Sequence, residues 1–337
     1  MTTDGQQTMD YAQLYPLRFE PIYQYRLWGG RRFSGLLPAP LPGDGPIGEA
    51  WVLSDRTDFQ SLVANGPLKG QTVGQVMERF RGQVMGRLSS RFHRFPLLLK
   101  FLDAHEMLSV QVHPSDDSSE LIPAGDTAKT EAWVVIEAEK RSQIYAGLKS
   151  GTTAGILRES LLDGTIAEHL ESISPKAGDA VFIPAGTVHT LGNDVVVFEV
   201  QQNSDVTFRL YDWGHIDTKT KELRPLQVEQ AFASIKFGAS DSGLVAPLVE
   251  TTTPVKRERL FDCCAFLLWR VLGQEPFTVG ATEEPRVLVC IEGSGQIMHD
   301  GTPYTVGKGD VWLLPAEAGE CAFQPSGEVT LLEIAIP

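Results

Sequence analysis

The chain has 337 residues, with 29 Lys and Arg against 43 Asp and Glu, which gives a formal net charge of -14. An acidic chain of this kind has no overall attraction for nucleic acid or for a membrane surface, so we expect neither as a partner. The length predicts two domains, or one large elaborated domain, with a substantial core.

The cysteines and the N-terminal residues bear on the cellular compartment. The four cysteines include no Cys-x-x-Cys pair, which predicts neither a disulfide framework nor a cysteine-based zinc site. Residues 1–10 are polar without a signal-peptide pattern, and no apolar run approaches the roughly 20 residues of a membrane-spanning helix. We therefore expect a cytoplasmic protein.

Residues 1–15 are predicted to form a disordered lead, and a first domain follows over residues 16–235. Helical spacing of apolar residues occurs within 71–92, and an apolar strand is predicted over 95–104. Lys100 interrupts that strand. Because a buried lysine needs a partner, we expect Lys100 to reach the rim of the domain or to face a cavity.

The next predicted strand, residues 109–113, has one polar face. Successive side chains of a strand point to opposite faces, so Ser109, Gln111 and His113 share a face. Glu131 stands directly before the following apolar run and is predicted to lie at the mouth of that strand. These side chains either meet water on half-exposed strands or converge on one point that binds a metal ion.

The position of His189 favours the metal site over half-exposed strands. It follows a Gly-Asp turn, an apolar run and a Pro-Ala-Gly turn, an arrangement that delivers a histidine to the end of a strand. Together, Gln111, His113, Glu131 and His189 supply one amide oxygen, one carboxylate and two imidazoles. We expect them to bind one divalent cation per chain, with zinc as the first choice, although such a set suits Fe(II) or Mn(II) equally well.

Residues 236–260 are mixed and polar, and they are predicted to connect two halves of the chain. Residues 261–337 consist almost entirely of short strands separated by Gly and Pro turns, a pattern typical of a sandwich or barrel. The fold is therefore predicted to be mainly β, with two jelly-roll barrels and a few short helices.

An internal repeat relates the two barrels. Residues 309–316 match in register the segment that precedes His189, and Glu320 then takes the position of that histidine. Arg286 falls where the first copy has Glu131. The second copy keeps the turns without the ligands, so the N-terminal barrel is predicted to bind the metal and the C-terminal barrel to be degenerate.

Several motifs occur in an order that is familiar from one family. They are Trp28-Gly29-Gly30, Ile47-Gly48-Glu49-Ala50-Trp51, Ser109-Val110-Gln111-Val112-His113-Pro114, Lys129-Thr130-Glu131, Ile183-Pro184-Ala185-Gly186-Thr187-Val188-His189 and Arg209. As a set they resemble the type I mannose-6-phosphate isomerases, which are zinc enzymes with the cupin fold. The resemblance covers about residues 16–213 and is to the short bacterial form, because the chain has no room for the helical insertion of the longer enzymes.

The resemblance implies reversible conversion of mannose 6-phosphate and fructose 6-phosphate, with the metal held by the four ligands named above. The partner is then a small sugar phosphate, and the chain is expected to be a monomer or a homodimer. A metal polarises the carbonyl and the adjacent hydroxyl oxygen and stabilises the enediolate that forms when the C2 proton leaves. A base then returns that proton to C1.

Candidate roles follow for single residues. The candidate catalytic residues are Arg209, Glu199 and Lys129, and the candidate substrate-binding residues are Ser109, Lys129, Lys100, Glu49 and Arg209. Lys129 precedes the ligand Glu131 by two residues and so shares its strand face, where it could bind phosphate with Ser109, or it is simply solvated in a turn. Glu49 is a candidate only because it belongs to the motif Ile47-Gly48-Glu49-Ala50-Trp51.

Arg209 and Glu199 each have a structural alternative. Arg209 offers a fixed cationic fork that binds the phosphate or stabilises developing negative charge, or else it forms a surface ion pair with Asp205 or Asp212. Glu199 interrupts an apolar strand, where burial would raise its pKa toward that of a useful base, or else it is a structural partner of Lys100.

Two further functions are compatible with these residues. One is another metal-dependent cupin enzyme, either an oxygenase or an isomerase of a different aldose. The cationic residues Lys129 and Arg209 argue against an oxygenase, which usually has no phosphate clamp. The other is a non-catalytic cupin that binds a sugar phosphate.

Overall fold

A computed structural model describes residues 13–217, 220–238 and 241–337. Strands dominate these ranges and form two barrels, each made of one large and one small antiparallel sheet. The predicted mainly β fold with a few short helices is confirmed. Across the described ranges, no helix is both long enough and apolar enough to cross a membrane.

The first barrel contains most of the strands between residues 22 and 244. The strands of its large sheet are β2 (Ile22–Gly30), β3 (Ile47–Leu53), β6 (Leu97–Ala104), β8 (Glu131–Ala138), β11 (Ala180–Ile183), β13 (Val195–Gln202) and β15 (Gly243–Leu244). The strands of its small sheet are β7 (Val110–Val112), β9 (Gln143–Leu148), β10 (Leu170–Ile173), β12 (His189–Gly192) and β14 (Phe208–Tyr211). The large sheet runs β15-β11-β8-β13-β6-β2-β3 and the small sheet β10-β9-β12-β7-β14. A separate hairpin is formed by β4 (Asp55–Arg56) and β5 (Phe59–Gln60).

The second barrel repeats this plan. The strands of its large sheet are β1 (Leu17–Arg18), β16 (Leu248–Thr251), β17 (Lys256–Asp262), β18 (Leu267–Gly273), β20 (Arg286–Glu292), β23 (Val311–Leu314) and β25 (Val329–Ala335). The strands of its small sheet are β19 (Phe277–Gly280), β21 (Ser294–His299), β22 (Thr302–Gly307) and β24 (Glu320–Pro325). The large sheet runs β1-β23-β20-β25-β18-β17-β16 and the small sheet β19-β24-β21-β22.

The helices are short and lie outside the sheets. They are α1 (Phe33–Leu36), α2 (Val73–Met85), α3 (Ala154–Asp163) and α4 (Val228–Ser234), with 3-10 helices at 86–88, 116–121, 166–169 and 316–318. Helix α2 begins at a capping box, in which the Thr72 hydroxyl accepts from the Gln75 N–H and the Gln75 side chain accepts from the Thr72 N–H. Its apolar face is buried, as the helical spacing predicts.

Among the described residues, buried apolar side chains form four clusters, two of which position the site. Within the first barrel, Leu102 and Val135 of the large sheet share a core with Ile144 of the small sheet. A larger cluster joins the outer faces of the two large sheets, for example Phe198 of the first barrel with Val289 of the second. Because the barrels bury these outer faces against each other, the inner face of the first large sheet remains available for a site.

The predicted repeat is visible in the pairing of the strands. The register between β20 and β23 matches that between β8 and β11, so Arg286 takes the place of Glu131. In the small sheets, Glu320 pairs with Gly280 in the way that His189 pairs with its partner on β7. At these positions the second barrel keeps neither imidazole nor amide, which agrees with a degenerate site.

The structure corrects the predicted domain boundaries. The connection predicted at 236–260 contains β15, which joins the first large sheet, and β16 and the start of β17, which belong to the second. Strand β1 pairs with β23, so the chain enters through the second barrel before it forms the first. The predicted disordered lead, 1–15, lies outside the described residues up to residue 12, and its last part carries Leu14 and Tyr15, which are buried in the core.

Candidate active site

The candidate ligands come from both sheets of the first barrel. On the small sheet, His189 begins β12 and pairs with Gln111 of β7, and His113 follows directly after β7. On the large sheet, Glu131 is the first residue of β8. The polar strand face predicted from alternation and the carboxylate at the mouth of the next strand therefore do converge.

Three of the four predicted ligands form a compact buried cluster. The ligand atoms of His113, Glu131 and His189 all lie within 4.8 Å of one another. Glu131 Oε2 is 3.3 Å from His113 Nε2, and Glu131 Oε1 is 3.2 Å from His189 Nε2. All three side chains are at most 1% exposed, so bulk solvent does not reach them.

The backbone fixes the tautomer of both histidines. Nδ1 of His113 lies 2.7 Å from the Val206 carbonyl oxygen, and Nδ1 of His189 lies 2.9 Å from the Thr187 carbonyl oxygen. A carbonyl only accepts, so each Nδ1 carries the proton and each Nε2 presents a lone pair. Burial lowers the pKa of His113 to about 3 and also lowers the pKa of His189. Both imidazoles are therefore neutral.

Glu131 is ionised although it is buried. Burial by itself would raise the pKa of this carboxyl, but the positive charge of Lys129 outweighs burial and holds the pKa well below its usual range. Neither carboxylate oxygen accepts a hydrogen bond of regular geometry. A carboxylate that faces two imidazole lone pairs is satisfied by a cation between them, so these residues fit a divalent metal ion.

Gln111, the fourth predicted ligand, borders this cluster. Its Nε2 lies 3.2 Å from His189 Nε2, and Ser109 Oγ donates a hydrogen bond of 3.3 Å to its Oε1. Rotation of the amide by 180° exchanges its oxygen and nitrogen, which would bring the oxygen toward His189 and the metal position. After that rotation the Ser109 hydroxyl would accept from the amide nitrogen, so Ser109 contacts the predicted ligand Gln111 in either orientation.

Lys129 lies inside the cluster and not in a solvated turn. Its Nζ is 2.8 Å from Glu131 Oε2 and 3.0 Å from His113 Nε2, and the residue is 4% exposed. Burial would lower the pKa of this ammonium, but Glu131 and then Glu199 outweigh burial and raise it. Lys129 is therefore a protonated donor at the edge of the cluster formed by His113, Glu131 and His189.

Glu199 belongs to a row of side chains that crosses the inner face of the large sheet. It pairs across strands with Lys100 on β6 and with Trp133 on β8. Its Oε2 accepts from Trp133 Nε1 at 2.9 Å, and its Oε1 lies 3.4 Å from Lys100 Nζ. Burial, and next the charge of Glu131, raises the pKa of Glu199. Both sequence interpretations are thus partly right, since Glu199 is a partner of Lys100 and also a carboxylate of raised pKa.

Glu49 lies on β3, and its Oε2 is 3.9 Å from Lys100 Nζ. Its carboxylate accepts two hydrogen bonds from Arg26, of 2.7 and 3.1 Å, and one of 2.6 Å from Trp51 Nε1. Burial opposes ionisation, but Arg26 and Lys100 lower the pKa of Glu49 to about 2. Glu49 therefore fixes the neighbouring cations and has little capacity left for a substrate.

These residues surround a cavity of about 340 Å³ in the first barrel. Its lining includes the predicted residues Glu49, Lys100, Ser109, Gln111, Lys129, Glu199 and Arg209, together with Tyr25, Arg26, Leu27, Trp28, Leu102, Leu108, Asp205, Thr207, Asp217 and Arg224. The volume is sufficient for a small polar metabolite.

Arg209 is not the surface ion pair that the sequence allowed. Asp212 makes a bidentate pair with Arg224 instead, and among the described residues no carboxylate oxygen lies within 4.0 Å of the Arg209 guanidinium. Arg209 Nε is buried without a hydrogen-bond partner. Burial and then the neighbouring charge of Arg224 lower the pKa of Arg209. The cavity therefore contains a guanidinium that has no acidic partner among the described residues.

Among the basic residues of the cavity, sequence reasoning missed Arg26 and Arg224. Arg26 directly precedes the Leu27-Trp28 segment of β2, and all three residues line the cavity where the register of β2 is irregular, so strand alternation gives no signal for Arg26. Arg224 lies in the polar region after β14, where no periodic pattern occurs. Its position follows from backbone hydrogen bonding, because the Gln227 N–H donates to the Arg209 carbonyl and holds this segment beside β14.

Comparisons with known proteins agree with the predicted resemblance. Residues 17–132 match the family model described as phosphomannose isomerase type I, catalytic domain. Mannose-6-phosphate isomerase ManA of Bacillus subtilis is 33% identical over 317 residues, which cover 90% of this chain and 94% of the relative. A mannose-6-phosphate isomerase of Streptococcus mutans is 32% identical, with 89% and 92% covered. The crystal structure of the mannose 6-phosphate isomerase from Bacillus subtilis superposes with a TM-score of 0.88 at 28% identity, covering 96% of this chain and all of that one.

Proposed function

The chain belongs to the type I phosphomannose isomerases, and we propose that it interconverts mannose 6-phosphate and fructose 6-phosphate with one zinc ion bound per chain. The observation that carries the proposal is the meeting of two neutral imidazoles with a buried, ionised carboxylate, beside a cavity with an arginine that has no acidic partner among the described residues. The names of the relatives support the substrate. The cytoplasmic location and the choice between monomer and homodimer stay predictions.

Gln111, His113, Glu131 and His189 would hold the metal ion. When bound, a divalent cation acts as a Lewis acid that polarises the carbonyl and adjacent hydroxyl oxygens of the sugar. The carbonyl oxygens of Val206 and Thr187 keep both imidazoles in the ligand tautomer, so the protein organises the site before the cation binds.

The reaction moves two protons. The first proton leaves C2 and is added to C1. The second leaves the hydroxyl oxygen O2, and a proton is added to O1. The aldehyde at C1 thereby becomes a primary alcohol, and the secondary alcohol at C2 becomes a ketone. We propose that the Glu199 carboxylate removes the proton from C2 and that the resulting carboxylic acid returns it to C1. Its raised pKa suits this exchange, and Trp133 and Lys100 hold its two oxygens in place.

Lys129 and Arg209 supply positive charge during this step. Removal of the C2 proton leaves negative charge on the enediolate oxygens, and a buried ammonium close to the metal ligands stabilises that charge more strongly than water would. Arg209 reaches the same cavity without a carboxylate partner and so is available to an anionic group of the substrate.

A coupled assay for fructose 6-phosphate tests the proposal. We expect the purified, zinc-loaded chain to convert mannose 6-phosphate, and to turn over unphosphorylated mannose far less efficiently because the sugar lacks the anion. Failure of a folded, metal-loaded sample to convert mannose 6-phosphate would contradict the proposed function.

A further inference from the structure

Arg56, on the hairpin of β4 and β5, connects segments of the chain that are far apart in sequence. Its Nη1 and Nη2 donate to the two carboxylate oxygens of Asp126, at 2.8 and 3.0 Å. Nη1 also donates to the carbonyl oxygen of Asn203, at 2.9 Å. One guanidinium therefore joins the hairpin, the segment of Asp126 and the segment of Asn203.

The segment of Asp126 leads to the candidate active site. Residues 114–130 join His113 to Glu131, and apart from the 3-10 helix at 116–121 they form no regular element. Asp126 lies three residues before Lys129, and three residues of extended chain span at most about 11 Å. Since no sheet or helix holds residues 122–130, their position depends on contacts such as the one with Arg56.

The segment of Asn203 also leads to the site. Asn203 directly follows β13, the strand that carries Glu199. The Asn203 carbonyl accepts from Arg56, and the hydroxyl of the next residue, Ser204, donates to the Asp126 carboxylate. Ser204 is fully buried. The end of β13 is therefore joined to the Arg56–Asp126 pair by two separate contacts.

The pair is largely protected from solvent. The side chains of Arg56 and Asp126 are 21% and 11% exposed. Burial would raise the pKa of Asp126, but the hydrogen bonds from Arg56 and Ser204 outweigh burial and lower it, so the carboxylate is ionised. A bidentate pair between charged, mostly buried groups fixes both position and direction.

The pair lies beside the catalytic cavity without lining it. A second cavity, of about 290 Å³, is lined by Arg56, Asp126 and Asn203 among others. Asp205 lines both this cavity and the catalytic one, whereas Arg56 and Asp126 line the second cavity alone. The pair can therefore act on the reaction only through the residues that it holds.

Among those residues, Lys129 depends on the pair more than the ligand Glu131 does. Glu131 is paired on both sides within the large sheet, with Ile183 of β11 and Gln201 of β13. Lys129 precedes the strand, and its N–H donates to the Pro114 carbonyl of the same irregular segment at 3.2 Å. Loss of the pair should leave the ligand in place and allow Lys129 to shift.

We infer that Arg56 and Asp126 form a positioning pair, which ties the irregular segment of Lys129 to the end of the strand of Glu199 and thereby fixes Lys129 relative to Glu199. The inference rests on the proposed function, in which Glu199 transfers the proton and Lys129 stabilises the resulting negative charge. A displacement of about 1 Å between such groups can lower a rate about 100-fold. The pair should therefore affect kcat more than KM.

Asp126→Asn and Arg56→Gln test the inference, because each removes one charge of the pair and Asp126→Asn keeps the size of the side chain. With mannose 6-phosphate we expect kcat to fall about 10- to 100-fold in each variant and KM to stay within about threefold. Zinc content should remain near one per chain. The double variant should lose little more than the larger single loss, since the two side chains act as one unit.

Two exposed ion pairs provide matched controls. Asp117 lies in the same irregular segment and is paired with Lys236, and both side chains are more than half exposed. Arg158 makes a bidentate pair with Glu229 on the exposed surface between α3 and α4. Because exposed pairs contribute little, Asp117→Asn and Arg158→Gln should match the wild type in kcat, KM and zinc content.

Hydrogen–deuterium exchange on the zinc-loaded protein gives a readout that does not depend on turnover. In Asp126→Asn and Arg56→Gln we expect the amides of residues 127–130 to exchange about tenfold faster or more, while those of β8 keep their wild-type rates. Wild-type exchange at 127–130 in both folded variants would overturn the inference. A fall in kcat that is explained by loss of zinc would overturn it as well.

The proposed function and the inference fail in different ways. A zinc-loaded wild type that does not convert mannose 6-phosphate would overturn the proposed function, and with it any role of the pair in that reaction. A wild type that converts the sugar, together with folded Asp126→Asn and Arg56→Gln variants of unchanged kcat, would keep the reaction and overturn the inference.

Discussion

Glu131 Oε1 lies 3.2 Å from His189 Nε2. Both atoms are acceptors, because the Glu131 carboxylate is ionised and the His189 proton is on Nδ1, where it contacts the backbone and leaves a lone pair on Nε2. Two acceptors at this distance, both fully buried, repel each other unless a positive charge lies close by. Lys129 supplies one such charge from the side of Glu131 Oε2. The His189 side has no comparable cation among the described residues, and this is where a bound metal ion is expected to act.

Replacement of the ligand histidines should remove the metal. In His189→Ala or His113→Ala the site loses one imidazole, and we expect bound zinc to fall well below one per chain and turnover to be lost, as measured by elemental analysis and the coupled assay. His93→Ala is the matched control, because His93 is exposed and contacts only Arg81 among the hydrogen bonds described. Wild-type activity in a zinc-depleted His189→Ala sample would rule out this site.

Glu199 should determine the acidic limb of the pH profile. The carboxylate is the active form, so kcat should decrease as pH falls through the pKa of Glu199, which burial and Glu131 raise above its ordinary value of 4.5. Glu199→Gln should lower kcat about 10²- to 10⁴-fold and abolish that limb while zinc remains bound. Glu328→Gln, on an exposed turn, is the control. If the acidic limb is unchanged in Glu199→Gln, another residue is the base.

Replacement of Arg209 should weaken substrate recognition and leave metal binding unchanged. Arg209→Ala removes the unpaired guanidinium, and we expect kcat/KM for mannose 6-phosphate to drop about 100-fold or more, while zinc stays near one per chain. The matched surface variant is Arg158→Ala, for which both values should equal those of the wild type. If kcat/KM in Arg209→Ala is also unchanged, the arginine is structural.

The second barrel should take no part in metal binding. Glu320 occupies the position of His189 but is exposed and pairs with Gly280, so the remaining ligands of a site are missing there. Glu320→Gln should therefore leave both zinc content and turnover at wild-type values. Loss of zinc in this variant would mean that the two barrels had been assigned the wrong way round.

The sequence predicted that His113, Glu131 and His189 would lie close together, because strand alternation and turn chemistry bear directly on their positions. Alternation along one strand placed Gln111 and His113 on a common face, and the turn before His189 indicated where a strand would begin. The register of β13 then brought Glu199 opposite Lys100, a contact that burial arguments had already suggested. Such features depend on strand period and turn chemistry, which a single sequence reveals.

The remaining features depend on contacts between distant segments. Arg224 enters the cavity only because its segment lies beside β14 and Asp212 holds its side chain. Strand β17 has the sequence Lys-Arg-Glu-Arg-Leu-Phe-Asp, and these charged residues conceal a strand that becomes part of the second barrel through pairing with β18. Pairing of this kind is set by tertiary packing, so the predicted connection at 236–260 could not be recognised as sheet.

The most direct test of the account is to measure zinc content and turnover of mannose 6-phosphate on one purified sample, first as isolated, then after chelation, and finally after zinc is added back. The account predicts that turnover falls in parallel with zinc and returns with it, at about one zinc per chain. Full turnover in a sample from which divalent metal has been removed would contradict it.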